Sequence, residues 1–155
     1  MMRLKFSAKE NTSMRYDNLM CQLKVDLLRR AYHELDARKA RGIDGITKSR
    51  YGENLEVNLK DLETRLHRGS YHPQPARQVL IPKSDGKMRP LAISNFEDKI
   101  AQRAVAYILE ALYEPLFVDV SLGFRPKRGC HQAIRRVYRL LKDGHRPTVV
   151  DVDIE

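Results

Sequence analysis

The chain changes period between Tyr71 and Ile93, and that change most narrowly limits its fold. Pro73 and Pro75 impose an extended entry, and Gln78-Val79-Leu80-Ile81 is a short strand-like run. Ser84-Asp85-Gly86-Lys87 supplies an Asp-Gly pair whose positive φ angles suit a tight turn, after which Met88 to Ile93 returns as a second strand. Pro90 has no N–H to give to a ladder, so the return strand is expected at an edge or bulged, where a ligand could approach.

The segments on either side repeat at three- and four-residue steps. Tyr16, Leu19, Met20, Leu23, Leu27, Ala31 and Leu35 predict one amphipathic helix, stopped by Gly42-Ile43-Asp44-Gly45. Leu55, Leu59, Leu62 and Leu66 predict a second, ending at Gly69. Ser94-Asn95-Phe96-Glu97 reads as a capping box, with the Ser94 hydroxyl and the Glu97 carboxylate satisfying free N–H groups at a helix start. The helix that follows carries Ile100, Ala104, Tyr107, Ile108, Ala111 and Leu112 on its apolar face and should not pass Pro115 unkinked. A loop rich in Gly, Pro and positive charge, Ser121 to Gly129, leads to a last helix. There Ala133, Ile134, Val137, Tyr138 and Leu141 are the expected buried stripe, with Arg135, Arg136 and Arg139 outward and Gly144 as the stop. The expected class is α+β, mainly helical, with a small antiparallel hairpin.

Twenty-nine Lys and Arg against 20 Asp and Glu give a net charge of +9, which favours a polyanionic partner, and nucleic acid is the usual one. A basic soluble protein without such a partner fits the same charge, which reveals no enzyme. Cys21 and Cys130 form no CxxC pair, so neither a zinc cluster nor a disulfide scaffold is indicated. The five histidines have no metal-ligand spacing. No apolar run has the length of a signal peptide or a membrane span, so the expectation is a cytoplasmic protein without a membrane partner.

From Thr148 the sequence alternates: Val150, Val152 and Ile154 face one way, Asp151, Asp153 and Glu155 the other. An ordinary strand with a solvated acidic face accounts for this equally well. The functional reading is a hard-cation site, since Mg²⁺ prefers one or two carboxylates plus water and phosphate oxygens. Phe124 and Arg125 suit stacking on a base and contact with a phosphate. Core anchoring for Phe124 and a local ion pair for Arg125 stand beside that reading. Lys127 and Arg128, with the arginines of the first and last helices, are candidates for gripping an RNA backbone.

The order of these blocks from Arg41 onward resembles the group II intron reverse transcriptases and maturases. Gly42-Ile43-Asp44-Gly45-Ile46 and the helix to Gly69 are similar to the family's amino-terminal extension. Ile81-Pro82-Lys83, the Asp-Gly turn and Arg89-Pro90-Leu91 resemble the first fingers motif, and Asp98-Lys99-Ile100-Ala101-Gln102-Arg103 the second. Gly123-Phe124-Arg125-Pro126 and Gln132-Ala133-Ile134 resemble the insertion after it, and Val150-Asp151-Val152-Asp153-Ile154 the start of palm motif A.

The resemblance implies an extension over 1–69, fingers over 70–147 and the first palm strand over 148–155. It implies an RNA-directed DNA polymerase, a nucleotidyltransferase often joined to splicing of its own intron. Its partners would be template or intron RNA, a nucleic-acid duplex and a deoxynucleoside triphosphate. Lys83 and Arg89 match the cations that clamp the triphosphate. Asp153 matches the first catalytic aspartate, a ligand of Mg²⁺; Asp151 and Glu155 match variable places. The family's steric gate, paired aspartates and thumb do not occur in these 155 residues, so the piece is expected to be inactive by itself. The alternative is a non-catalytic RNA-binding module that assists splicing. Reverse transcriptases of retrons, defence systems or diversity-generating elements are a weaker match, because the block from Gly42 to Gly69 favours the intron type.

Overall fold

Helix α4 (Phe96–Tyr113) is the longest helix among the described residues, in a computed structural model that describes residues 16, 18–143, 148 and 150–152. Before it in the chain come α1 (Val25–Glu34), α2 (Lys48–Gly52), α3 (Leu55–His67), β1 (Arg77–Pro82) and β2 (Met88–Ile93). After it come a 3₁₀ turn at Glu114–Leu116, where Pro115 ends α-helical bonding, and α5 (Cys130–Lys142). The architecture is α+β, with helices dominant and a single two-stranded antiparallel sheet among the described residues.

The expected apolar face of α4 is buried as the period requires: Ile100, Ala104, Tyr107, Ile108, Ala111 and Leu112 are all covered. Leu28 and Ala31 of α1 and Leu59 and Leu62 of α3 complete the core with no exposed surface. A cavity at such a leucine costs about 2–5 kcal/mol. Tyr32, Tyr51 and Phe96 form a ring cluster at one end, with Tyr32 edge-on to Phe96 at 5.9 Å between centroids.

The helix expected from Tyr16 to Leu35 is broken in two. A 3₁₀ turn at Met20–Gln22 is followed by extended backbone at Lys24, and α1 starts at Val25. The cause is tertiary. The Val25 N–H donates to Glu63 Oε1 of α3 at 3.2 Å, the His67 ring meets the Leu23 carbonyl at 3.0 Å, and Leu23 turns into the core.

The capping box at Ser94 is also replaced. The N-cap of α4 is Asn95, and its side chain makes no capping bond. Asn95 Oδ1 instead accepts from the Asp44 N–H at 3.4 Å, tying the Gly42–Gly45 turn to the helix start. The Glu97 carboxylate accepts from the Tyr51 hydroxyl at 3.2 Å and from Arg65 at 2.8 Å. Lys99 Nζ donates to the Ala40 carbonyl at 2.7 Å and reinforces the same junction. Gly42 is required by this close approach: a Cβ there would stand 2.6 Å from Asn95 Cα and 2.8 Å from its backbone nitrogen. Gly42→Ala should therefore cost about 1–3 kcal/mol, read as a lower denaturant midpoint with an unchanged slope.

Tyr71 donates to Asp98 in the first turn of α4, beside the Tyr51–Glu97–Arg65 group. Burial, and then the neighbouring carboxylates, push both phenols well above the tyrosine range. A phenol raised in the folded state contributes stability that is whole below its unfolded value of about 10 and is lost as pH rises through the folded value. In an alkaline titration, Tyr51 and Tyr71 should ionise only together with loss of helical signal. Full tyrosinate absorbance with the helices intact would contradict their burial.

The hairpin pairs Arg77 with Ile93 through Pro82 with Met88, and Pro90 lies opposite Leu80. With two strands, both are edges, so Pro90 is tolerated without a bulge. Only Gly86 of the Asp-Gly pair has a positive φ, +79°. Asp85 uses its carboxylate instead, accepting from the Lys87 N–H at 3.1 Å.

Two expectations fail on packing. The stripe of α5 is not buried: Ile134, Val137, Tyr138 and Leu141 are exposed, because no other described element covers the helix. Among the described residues of the last segment, Val150, Asp151 and Val152 join no strand, and the two valines are open to solvent for want of a neighbouring strand. Gly144 and Asp153 lie outside the described residues. No helix among the described residues is long and apolar enough to cross a membrane.

Candidate nucleic-acid and nucleotide interface

The hairpin brings together the two cations singled out in the sequence. Residues directly opposite in an antiparallel pair share a face, so Ile81 and Arg89 point the same way, as do Val79 and Leu91. Lys83, two residues beyond Ile81, continues that face into the turn. Lys83, Arg89, Ile81 and Leu91 line one open concavity with Asp85 at its edge. Among the described residues neither the Lys83 ammonium nor the Arg89 guanidinium has a hydrogen-bond or ion-pair partner. Most ion pairs elsewhere are local or tie helices together, as with Arg29–Glu56 at 2.7 Å and Arg103–Glu34 at 3.1 Å. Two unpartnered cations on one face of an exposed β-hairpin can meet one polyanion.

The loop from Ser121 to Gly129 is built around Arg125, whose side chain is only 5% exposed. Its guanidinium donates to both Glu114 carboxylate oxygens, at 3.2 and 2.9 Å, and to the carbonyls of Val118 and Ser121, at 2.9 and 2.7 Å. It also lies over the Phe117 ring at 5.0 Å. Of the two readings of Arg125, the geometry supports the local ion pair: four of the five N–H groups of this buried guanidinium are already committed within the protein. Its work is to set the loop's shape.

That shape puts Phe124 outside. Phe124 has φ +53° and no contact with the core, and Lys127 has φ +60°. A bulky side chain in the left-handed region is strained, and the Arg125 anchor is what holds it there. Lys127 is exposed, and Arg128 is loosely paired with Asp119 at 3.9 Å. A bare aromatic ring with two cations three and four residues on has the parts for stacking on a base and touching its phosphates. The arginines of α5 stand on a helix that is exposed apart from half-buried Ala133, and Arg136 reaches the Asp119 carbonyl at 3.3 Å.

Asp151 is exposed, Asp153 lies outside the described residues, and among those described no group of three or more His, Cys, Asp or Glu could hold a metal. What sequence reasoning missed is the polar group at the start of α4. Asp98 and Asn95 are buried, and their partners Tyr71 and Asp44 lie 27 and 51 residues away, beyond the reach of any local pattern. The one available signal was two consecutive acids, Glu97 and Asp98, in the first turn of a helix read as partly buried.

No family model matches the chain. It is 42% identical over 118 residues to the Group II intron-encoded protein LtrA of Lactococcus lactis subsp. cremoris, a match covering 76% of this chain and 20% of LtrA. It is 46% identical over 102 residues to Protein YkfC of Escherichia coli K12, covering 66% of this chain and 27% of YkfC. Identity to the COX1/OXI3 intron 1 protein of Saccharomyces cerevisiae is 31% over 140 residues, or 90% of this chain and 16% of that protein. The chain thus spans about a fifth of the length of the curated relatives it matches. The blocks carrying the sequence resemblance and these long, consistent alignments agree, and on them the chain belongs to the group II intron reverse transcriptase and maturase family.

Proposed function

We propose that this chain is the template- and nucleotide-contacting amino-terminal part of an intron-encoded RNA-directed DNA polymerase, its helical extension and fingers. The observation that carries the reading is the shared, unpartnered face of Lys83 and Arg89 on the hairpin. Phosphoryl transfer is catalysed mainly by positioning and by stabilising charge on the phosphates. Lys83 and Arg89 clamp the incoming deoxynucleoside triphosphate, hold it against the end of the primer, and stabilise the charge that builds on the departing pyrophosphate. Ile81 and Leu91 give the same face an apolar floor. The substitutions that test the clamp are Lys83→Ala and Arg89→Ala, read on nucleotide use.

Phe124, Lys127 and Arg128 contact RNA, with Arg125 as the residue that positions them. Asp153 would hold Mg²⁺ together with carboxylates that these 155 residues do not supply, so the piece alone makes no DNA. The net charge of +9 and the exposed arginines of α5 also favour a second reading, an RNA-binding module that assists splicing without catalysis. Both readings require RNA binding by released counterions. Log affinity should fall linearly with log salt at a slope of about −0.7 per phosphate contacted on single strands, measured by fluorescence anisotropy. Binding that is flat from low to moderate salt would defeat both.

A further inference from the structure

The tip of the hairpin carries a third cation. Beyond the last ladder pair, Pro82 with Met88, the Lys83 N–H donates to the Lys87 carbonyl at 2.7 Å and the Gly86 N–H to the Lys83 carbonyl at 3.1 Å. With Gly86 at φ +79°, residues 84–86 form a short loop whose glycine is the extra residue of a bulge. Lys83 and Lys87 are thereby left directly opposite one another. Both strands lead to the same result: Lys83 follows Ile81 by two residues, Lys87 precedes Arg89 by two, and Ile81 and Arg89 are paired. The three cations share one face.

Like charges directly opposite on a hairpin destabilise it. Nothing in the protein relieves this pair: both lysines are exposed, and among the described residues neither ammonium has a hydrogen-bond or ion-pair partner. Asp85 is the only acid between Arg77 and Ile93. Its Oδ1 accepts from the Lys87 N–H at 3.1 Å, which closes the turn, and its carboxylate makes no ion pair with either lysine. Opposed Cβ atoms stand ~4.5–5.5 Å apart and diagonal ones roughly 7–8 Å, so Lys83, Lys87 and Arg89 start from a triangle small enough to converge on one anion. Three cations against one acid at that spacing suit a ligand whose negative charges are packed together. A triphosphate meets this, whereas an RNA backbone spreads single charges along its strand.

We infer that Lys87 is a third binding residue of the triphosphate site, bracketing one phosphate group together with Lys83 while Arg89 forks onto its neighbour. The inference rests on the reading of Lys83 and Arg89 as a nucleotide clamp, and adds to it a residue and a division of labour. Repulsion between the two lysines is released when a phosphate enters between them. The bare hairpin is therefore less stable than its sequence could make it, in the manner of a site kept ready for its ligand.

The test is steady-state kinetics of the complete enzyme, with Lys83→Ala and Arg89→Ala as references. Lys87→Ala should raise the nucleotide KM about tenfold, the weight of one charge-assisted contact, and raise the inhibition constant of inorganic tripolyphosphate by a similar factor. Primer–template affinity should stay within about twofold. Lys87→Arg keeps the charge and should recover most of the loss. Lys87→Glu gives Lys83 an ion-pair partner across the hairpin and should raise the nucleotide KM further still. Helical signal should be unchanged in all three, because the Lys87 side chain is exposed and its backbone bonds remain. A nucleotide KM that moves in Lys83→Ala and Arg89→Ala but not in Lys87→Ala would overturn the role of Lys87 alone. So would a Lys87→Ala that weakens primer–template binding instead, or a loss that Lys87→Arg fails to restore, which would point to turn geometry in place of charge. An unchanged nucleotide KM in all three alanine variants would overturn the clamp as well.

Discussion

Asp153→Asn is expected to cut RNA-templated DNA synthesis by about 10³-fold or more in a protein where this segment continues into a complete palm and thumb. Loss of a single hydrogen-bond donor to a transition state already costs ~10²–10³-fold. A carboxylate that holds a metal contributes a full charge, and its amide keeps the shape while losing that charge. RNA binding should survive, because the charge removed is negative and distant in sequence from the cations of the hairpin and the loop. Asp151→Asn is the internal control: it is two residues away, on the same side by alternation, and matches a variable place. If Asp151→Asn abolished synthesis and Asp153→Asn left it intact, the motif would be misregistered by two residues on this segment, and the assignment would move with it.

Lys83→Ala and Arg89→Ala are the next largest effects. Each removes one charge-assisted contact to the triphosphate, worth roughly 1.5–3 kcal/mol, or about 10- to 150-fold in kcat/KM for the nucleotide. Because the two cations share a face and a ligand, the double variant should lose less than the product of the single losses. Neither residue is buried, and neither side chain is partnered among the described residues, so folding stability should hardly change. Arg89→Lys should recover only part of the activity, since a point charge cannot reproduce the forked geometry of a guanidinium on phosphate oxygens.

What could be read from residues alone followed the range of the interactions involved. The α4 stripe from Ile100 to Leu112 and the return strand Met88–Ile93 depend on local period and came out as expected, whereas the first strand extends one residue past Gln78–Ile81 at each end and only Gly86 of the Asp-Gly pair takes a positive φ. The break at Lys24 could not be foreseen, because it is made by Glu63 and His67 on another helix. The cap at Ser94 gave way for the same reason: Glu97 found Tyr51 and Arg65, and Asn95 found Asp44. For α5 the period was right and the burial was not. A stripe such as Ile134, Val137, Tyr138 and Leu141 encodes a need for cover, and nothing among the described elements provides it. At the site, the family resemblance pointed to Lys83 and Arg89 as a pair, whereas only coordinates could show Arg125 turned inward to Glu114 and Phe124 left outside.

The central claim is that the hairpin cations serve the nucleotide and not the RNA. Its most direct test is the nucleotide KM of Arg89→Ala, measured beside the dissociation constant of the same variant for primer–template, in the complete enzyme. The expected result is a nucleotide KM raised by about tenfold or more with primer–template affinity within about twofold of the unaltered protein. An unchanged nucleotide KM with weakened primer–template binding would contradict the claim and make Arg89 a contact to the RNA backbone.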